Sequence, residues 1–311
     1  MGAVAKKDLV PYMSHFTIQQ GVVTAYNGEM SLSSPIDSKL NCKPKAKPLI
    51  DALKLCKDDI DLSLTPTGRL KVSSGKFKSF IDCTTDTFIR PEIEGVKIDV
   101  CGEKFMKAIE ILEPFIGDDA SRPWTNGVLF DKGSCYATCN PILIQYWLGD
   151  VWPLKVNIPK FVIRELLRIK EIPTHIYLTN RSITIEFLKG RWLKGQLLSN
   201  QWPDLDRILN VRADTSPNVI PDSFYEGLNF LRSSTDDQNR VYLQPGSMST
   251  SIDPDVGSFY ECEFISHSGI FSLELLRLLE GVAKTINLDM WPAPCLFFGE
   301  NLRGAIIGRR Q

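Results

Sequence analysis

Histidine is scarce. The 311 residues hold three, His15, His175 and His267, and none stands in a nucleophile or metal-ligand pattern. The chain has no Gly-x-x-x-x-Gly-Lys-Ser/Thr loop, no Gly-x-Ser-x-Gly elbow and no His-Glu-x-x-His. That removes the common nucleotide-binding, acyl-transfer and zinc-protease chemistries. No apolar run is long enough to span a bilayer. Met1 to Lys7 lacks the apolar core of a signal peptide, and Lys6 stands where a myristoylation pattern wants Ser or Thr. A cytosolic protein with no membrane partner is expected. Eight cysteines are present, yet Cys135 and Cys139 have no second pair or nearby histidine to complete a zinc set. They read as reduced, buried thiols. Asp204 and Asp206 lie two apart, but too few carboxylates converge with them for metal-assisted hydrolysis, and a solvated turn accounts for both. No cofactor, metal or catalytic residue is expected.

Net charge of one sign is also missing: 36 Lys and Arg face 37 Asp and Glu, a formal charge of −1. This excludes an evenly basic nucleic-acid binder but leaves room for one basic face. Asp58, Asp59, Asp61, Asp118, Asp119, Asp236 and Asp237 fall largely in turn-like stretches, while Lys and Arg cluster in helical ones.

What the chain does have is a repeated unit of one helix followed by three strands. From Lys160 to Lys170, Val162, Leu166 and Ile169 recur at helical spacing with Ile163 and Leu167 beside them. Pro159 suits the first helical position and Pro173 ends the helix. Lys160, Arg164 and Arg168 lie four apart, forming one basic stripe. Strands over 174–179, 182–187 and 191–198 follow as a meander. The same order is expected upstream, with a helix over 45–57 and strands over 60–64, 69–72 and 76–83. It is expected downstream too, with a helix over 272–284 and strands over 286–290, 295–298 and 303–307. Three copies of one helix-and-strand unit point to an array of similar halves.

In chain order, a first short helix is expected over 7–15 and strands over 19–25, 29–33 and 39–42. A strand over 96–101 and a helix over 102–115 open the middle part. Segments 126–131 and 134–138 read as a hairpin about Lys132-Gly133, continued by 142–148. Asp222 reads as the N-cap of a helix running to Arg232, and strands over 241–244, 247–252 and 259–266 follow. Linker-like stretches near 91–95 and 211–221 divide the chain into three domains, 1–95, 96–210 and 211–311, the first abbreviated. The fold class is α+β, with two helix-plus-antiparallel-strand halves per domain.

Four segments carry a resemblance. Asn126-Gly127-Val128-Leu129-Phe130 resembles the strand that opens the middle domain's meander in the bacterial DNA sliding clamps, the beta subunits of DNA polymerase III. Tyr136-Ala137-Thr138-Cys139-Asn140-Pro141-Ile142-Leu143 stands where that family has Ala-Thr-Asp-Gly-His-Arg-Leu. Val156-Asn157-Ile158-Pro159-Lys160 resembles its Val-Pro-Arg-Lys lead into a helix. Trp202-Pro203-Asp204-Leu205-Asp206-Arg207-Ile208-Leu209 resembles its Phe-Pro-Asp-Tyr-Arg-Arg-Val segment and is the most specific of the four. The resemblance covers most of the chain and is strongest over 96–210.

The resemblance implies a homodimeric ring of six domains around double-stranded DNA, a non-enzymatic processivity factor of the DNA-clamp fold. Its partners would be DNA polymerase, a clamp loader and peptide motifs of replication and repair proteins. Helices with an apolar and a basic face can pack on a sheet and still turn cations toward phosphates, giving non-specific, salt-sensitive binding. Candidates for that lining are Lys54, Lys57, Lys104, Lys107, Lys160, Arg164, Arg168, Arg277 and Lys284. A solvated helix face is the rival reading of each. The family's peptide pocket maps onto Thr138, Asn140, Pro141, Ile142, Leu143, Pro203, Ile208, Ala305 and Ile307, with core packing the rival for the apolar ones. Phe230 and Leu231 are candidates for the ring-closing edge.

The departures lie at the pocket. Gly-His-Arg is replaced by Asn140-Pro141-Ile142, and the usual Met-Pro-Met-Arg-Leu ending by Ile307-Gly308-Arg309-Arg310-Gln311. A rim with less Met and more positive charge implies an altered peptide preference, toward acidic motifs. Two rivals stay open: an interaction scaffold of the same fold that never encircles DNA, and a trimeric ring of two-domain subunits.

Overall fold

The computed structural model describes residues 2–5, 11–87, 91–253 and 255–310. In chain order the strands are β1 (Thr17–Gln19), β2 (Val22–Tyr26), β3 (Met30–Pro35), β4 (Asp61–Leu64), β5 (Leu70–Ser74), β6 (Phe77–Ile81), β7 (Val96–Ile98), β8 (Gly127–Thr138), β9 (Ile142–Pro159) and β10 (His175–Leu178). They continue with β11 (Ser182–Glu186), β12 (Trp192–Gln196), β13 (Asn218–Val219), β14 (Arg240–Gln244), β15 (Ser247–Ser249), β16 (Phe259–Glu261), β17 (Gly269–Ser272), β18 (Ala283–Ile286), β19 (Cys295–Gly299) and β20 (Leu302–Ile306). The α-helices are α1 (Ala46–Leu55), α2 (Gly102–Leu112), α3 (Lys160–Ile169), α4 (Asp206–Leu209), α5 (Asp222–Leu231) and α6 (Leu273–Arg277). Among the described residues no helix is long and apolar enough to cross a membrane. The chain forms two compact units, Met1–Met106 with Phe161–Leu197, and Lys107–Lys160 with Leu198–Gln311.

The first unit holds a seven-stranded sheet in the order β1-β2-β3-β12-β11-β10-β7 and a three-stranded sheet β4-β5-β6. On α1, Ala46, Leu49 and Ala52 are buried at spacings of three, which is one helical face. Leu49 and Ala52 join Ile18, Cys42, Leu70, Val72 and Ile81 in one core. The other sheet buries Ile176, Leu178, Ile183, Ile185 and Leu193, while α3 buries Val162, Ile163 and Leu166. A Cβ on Gly195 of β12 would lie 2.3 Å from Cγ2 of Val162. Glycine there lets α3 lie close against the strand.

The second unit holds a six-stranded sheet, β13-β18-β19-β20-β9-β8, and a four-stranded one, β16-β15-β14-β17. Its spine is one long hairpin of β8 and β9, paired from Gly127↔Pro159 to Thr138↔Leu143. The expected turn at Lys132-Gly133 is therefore corrected. Lys132 has a positive φ of 54°, as a turn residue would, but the pairing shifts register around it and continues, so it is a bulge. The chain reverses instead at Cys139–Pro141, where Asn140 takes φ 76°.

All three copies of the repeat are present. The helices α1, α3 and α6 are each followed by three consecutive antiparallel strands, β4-β5-β6, β10-β11-β12 and β18-β19-β20. The third departs most from expectation. The helix expected over 272–284 stops at Arg277, because the chain turns through Gly281 in a left-handed conformation (φ 73°) into β18. The strand expected over 286–290 becomes that of β18, and Leu288–Met290 is a 3-10 turn. Residues 39–42 form no strand, only an isolated bridge between Ile18 and Cys42. The helix expected over 7–15 falls partly outside the described residues, and Pro11–Ser14 is a single 3-10 turn. Asp222 is the first residue of α5, whose N-cap is Pro221.

Candidate functional site

In the second unit, one face of the β8-β9-β20 ladder carries an apolar site. Thr138 pairs with Leu143 and Leu143 with Ala305, while Tyr136 pairs with Gln145 and Gln145 with Arg303. Directly paired residues and those two apart share a face. On that face Leu129, Leu143, Trp202 and Leu209 form a buried cluster, with half-buried Trp124, Tyr136, Leu205 and Ile208 packed against it. Trp124 meets Trp202 edge to face, centroids 5.0 Å apart at 61°. Short α4 is anchored where the amides of Ile208 and Leu209 both donate to the Leu205 carbonyl, each at 3.1 Å. The indole Nε1 of Trp202 is buried without a partner among the described residues.

The rim at 138–141 is rigidly tied. The Thr138 hydroxyl donates to the Ile142 carbonyl (2.7 Å) and accepts from the Asn140 amide (3.2 Å). Asn140 donates to Asp119 (3.1 Å) and accepts from Arg122 (3.0 Å). Hydrogen bonds from Ser121 hold the Asp119 carboxyl below its usual range. The amide of Ile307 donates to the Pro141 carbonyl at 2.7 Å, joining the chain's end to this rim.

Of the nine residues expected here, Thr138, Leu143 and Ala305 are buried and form the floor. Asn140 and Ile208 are half-buried, and Pro141, Pro203 and Ile307 are exposed. Ile142 is a correction: it pairs with Ile306, lies on the face opposite to Leu143 and is fully buried, so it is core. Sequence reasoning missed Trp124, Tyr136, Trp202, Leu205, Gln145 and Arg303. Strand alternation from Leu143 and Thr138 would have placed Tyr136 and Gln145.

The expected cations sort by what they touch. Lys54, Lys57, Lys104, Lys107 and Arg164 are exposed. Lys160 is mostly buried, with Nζ donating to the carbonyls of Gly117 (3.2 Å) and Ile116 (3.4 Å) and 3.7 Å from Asp118. It caps backbone acceptors and is withdrawn from solvent. Lys160→Gln is therefore expected to lower stability by about 1–2 kcal/mol in urea unfolding. Arg168 donates Nε to Glu165 Oε2 at 2.8 Å and makes a second bond to Oε1. Arg277 is held by Asn229 and Glu274. Lys284 is exposed on β18, a strand, beside a cavity of about 790 Å³ that Asp222, Glu226 and Glu280 also line. At the α5 edge Phe230 is 75% exposed and Leu231 fully buried, so only Phe230 offers surface to a partner.

No family model and no curated protein sequence matches this chain. Solved structures do. The beta sliding clamp of Caulobacter crescentus superposes with a TM-score of 0.83 at 16% identity, over 99% of this chain and 94% of that one. The DNA polymerase sliding clamp of Bacillus subtilis gives 0.81 at 15%, over 100% and 94%. The beta subunit of the Streptococcus pyogenes DNA polymerase gives 0.83 at 15%, over 99% and 95%. Over essentially its whole length, the chain has the fold of the bacterial DNA sliding clamps.

Proposed function

We propose that this protein is a DNA sliding clamp: a non-enzymatic ring that encircles duplex DNA and tethers a DNA polymerase and other replication proteins through the apolar site on β8, β9 and β20. The observation that carries this is the extent of the likeness, since clamps match from end to end at 94–95% of their own length. The three-domain division at 1–95, 96–210 and 211–311 and closure as a head-to-tail homodimer belong to the same reading. Phe230 on α5 and the 60% exposed Phe259 on edge strand β16 are apolar surface available for closure. Lys54, Lys57, Lys104, Lys107, Arg164 and Lys284 are exposed enough to meet phosphates, and topology would hold the ring where few contacts do. A clamp loader would open it.

Retention on DNA tests this. Protein loaded on nicked circular DNA is expected to stay through gel filtration at about 150 mM salt and to be released on linearisation. Negative-stain images should show closed rings whose symmetry separates dimer from trimer. Equal loss from circle and line, with monomers or open arcs at every concentration, would instead favour a scaffold of clamp fold.

A further inference from the structure

Arg303 is out of place beside an apolar cluster. It stands on β20 two residues before Ala305, on the face that carries Leu143 and Tyr136. Its Nε donates to Gln145 Oε1 at 2.7 Å and its Nη1 to Asn210 Oδ1 at 3.0 Å. Both acceptors are neutral amides, and among the described residues no carboxylate pairs with Arg303. Gln145 is itself fixed, its Nε2 donating to Ser134 Oγ (3.0 Å) and Tyr136 OH (3.1 Å). Arg303 is half-buried.

A half-buried charge held only by neutral dipoles keeps most of its attraction for an anion. Two of its five N–H donors are committed, which leaves donors on the terminal nitrogens for a carboxylate. The two amide acceptors also fix the plane of the fork, so little side-chain freedom is lost when an anion arrives. The apolar cluster begins one step away along the same face, where half-buried Tyr136 pairs with Gln145 and packs against it.

We infer that Arg303 is an anion receptor at the end of the apolar site, and that the ligand it selects is a linear peptide with an acidic side chain next to its apolar anchors. This rests on the apolar site being a peptide site. Arg303 sets the specificity, and the amides of Gln145 and Asn210 position it.

Two fluorescein-labelled, C-terminally amidated peptides test the inference by polarisation, Gly-Ser-Leu-Glu-Leu-Phe and its isostere Gly-Ser-Leu-Gln-Leu-Phe. The full-length protein is expected to bind the Glu peptide about tenfold more tightly at low salt. Arg303→Gln should erase that preference, so that the variant binds the Glu and Gln peptides alike. Arg303→Lys, which keeps the charge but loses the fork, should keep only part of it. Gln-peptide binding without any Glu preference in the wild type overturns the role of Arg303 and leaves the peptide site standing. A Glu preference that survives in Arg303→Gln overturns it equally. Binding of neither peptide overturns the peptide site and this inference with it. A Gln peptide with a free C-terminal carboxylate that matches the Glu peptide would refute the choice of a side-chain acid.

Discussion

Arg168→Ala is expected to lower the free energy of unfolding by about 2 kcal/mol, short of the roughly 3–5 seen for fully buried pairs because Arg168 is itself half in water. The cause is Glu165, a carboxylate only 5% exposed in the middle of α3. Burial pushes its carboxyl up, but the bonds and charge of Arg168 and the Gly2 amide outweigh that, and it lies below the usual range. Removing the guanidinium strands a buried negative charge. Glu165→Gln is the milder change, about 1 kcal/mol, since the amide keeps hydrogen-bonding capacity and Arg168 remains solvated.

The two states of this pair have opposite pH signs. In the wild type the folded carboxyl lies below its unfolded value, so its contribution is complete above the unfolded value of about 4.3 and is lost as pH falls through the folded one. Without Arg168 the largest lowering influence is gone, the Gly2 amide is left against burial, the folded value rises, and acidification relieves the penalty. The stability gap between wild type and Arg168→Ala should therefore narrow from pH 7 toward pH 4.5 in urea titrations. A gap that stays constant over that range would rule out a stranded Glu165 charge as its cause.

That pair also marks where the sequence stops being legible. Fourfold spacing placed Lys160, Arg164 and Arg168 on one line, and α3 has that line. Spacing reports which residues share a face, while what lies opposite is set by distant chain. The carbonyls of Ile116 and Gly117 take Lys160 and Glu165 takes Arg168, and Arg164 is an exposed residue. The repeat was legible because helical and strand periods are local. Lys132-Gly133 misled because a bulge and a turn ask for the same backbone conformation. Only the partner strand, still pairing from Trp152 to Pro159, tells them apart. In the apolar site the floor residues Thr138, Leu143 and Ala305 were legible by resemblance, while Gln145 and Arg303 were not, because a polar pair across two strands 158 positions apart leaves no local pattern.

Trp202→Ala is expected to cost about 3–5 kcal/mol, the range for emptying a large aromatic site. Trp202 is 8% exposed and packs in the cluster of Leu129, Leu143 and Leu209, with the Trp124 ring against its own. If the apolar site takes peptides as proposed, the loss should remove binding of charged and neutral peptides alike, which separates it from Arg303→Gln. Trp202→Phe should behave otherwise and stay within about 1 kcal/mol of the wild type. It forfeits part of the packing, yet it also deletes an indole N–H that is buried without a partner among the described residues, a group that costs about 1–3 kcal/mol when left so. The alanine variant gains the same relief, but there the loss of nearly all the packing outweighs it. Urea unfolding of both variants decides the matter: a Phe variant as unstable as the Ala variant would mean that the indole's shape, and not its apolar bulk, holds the site together.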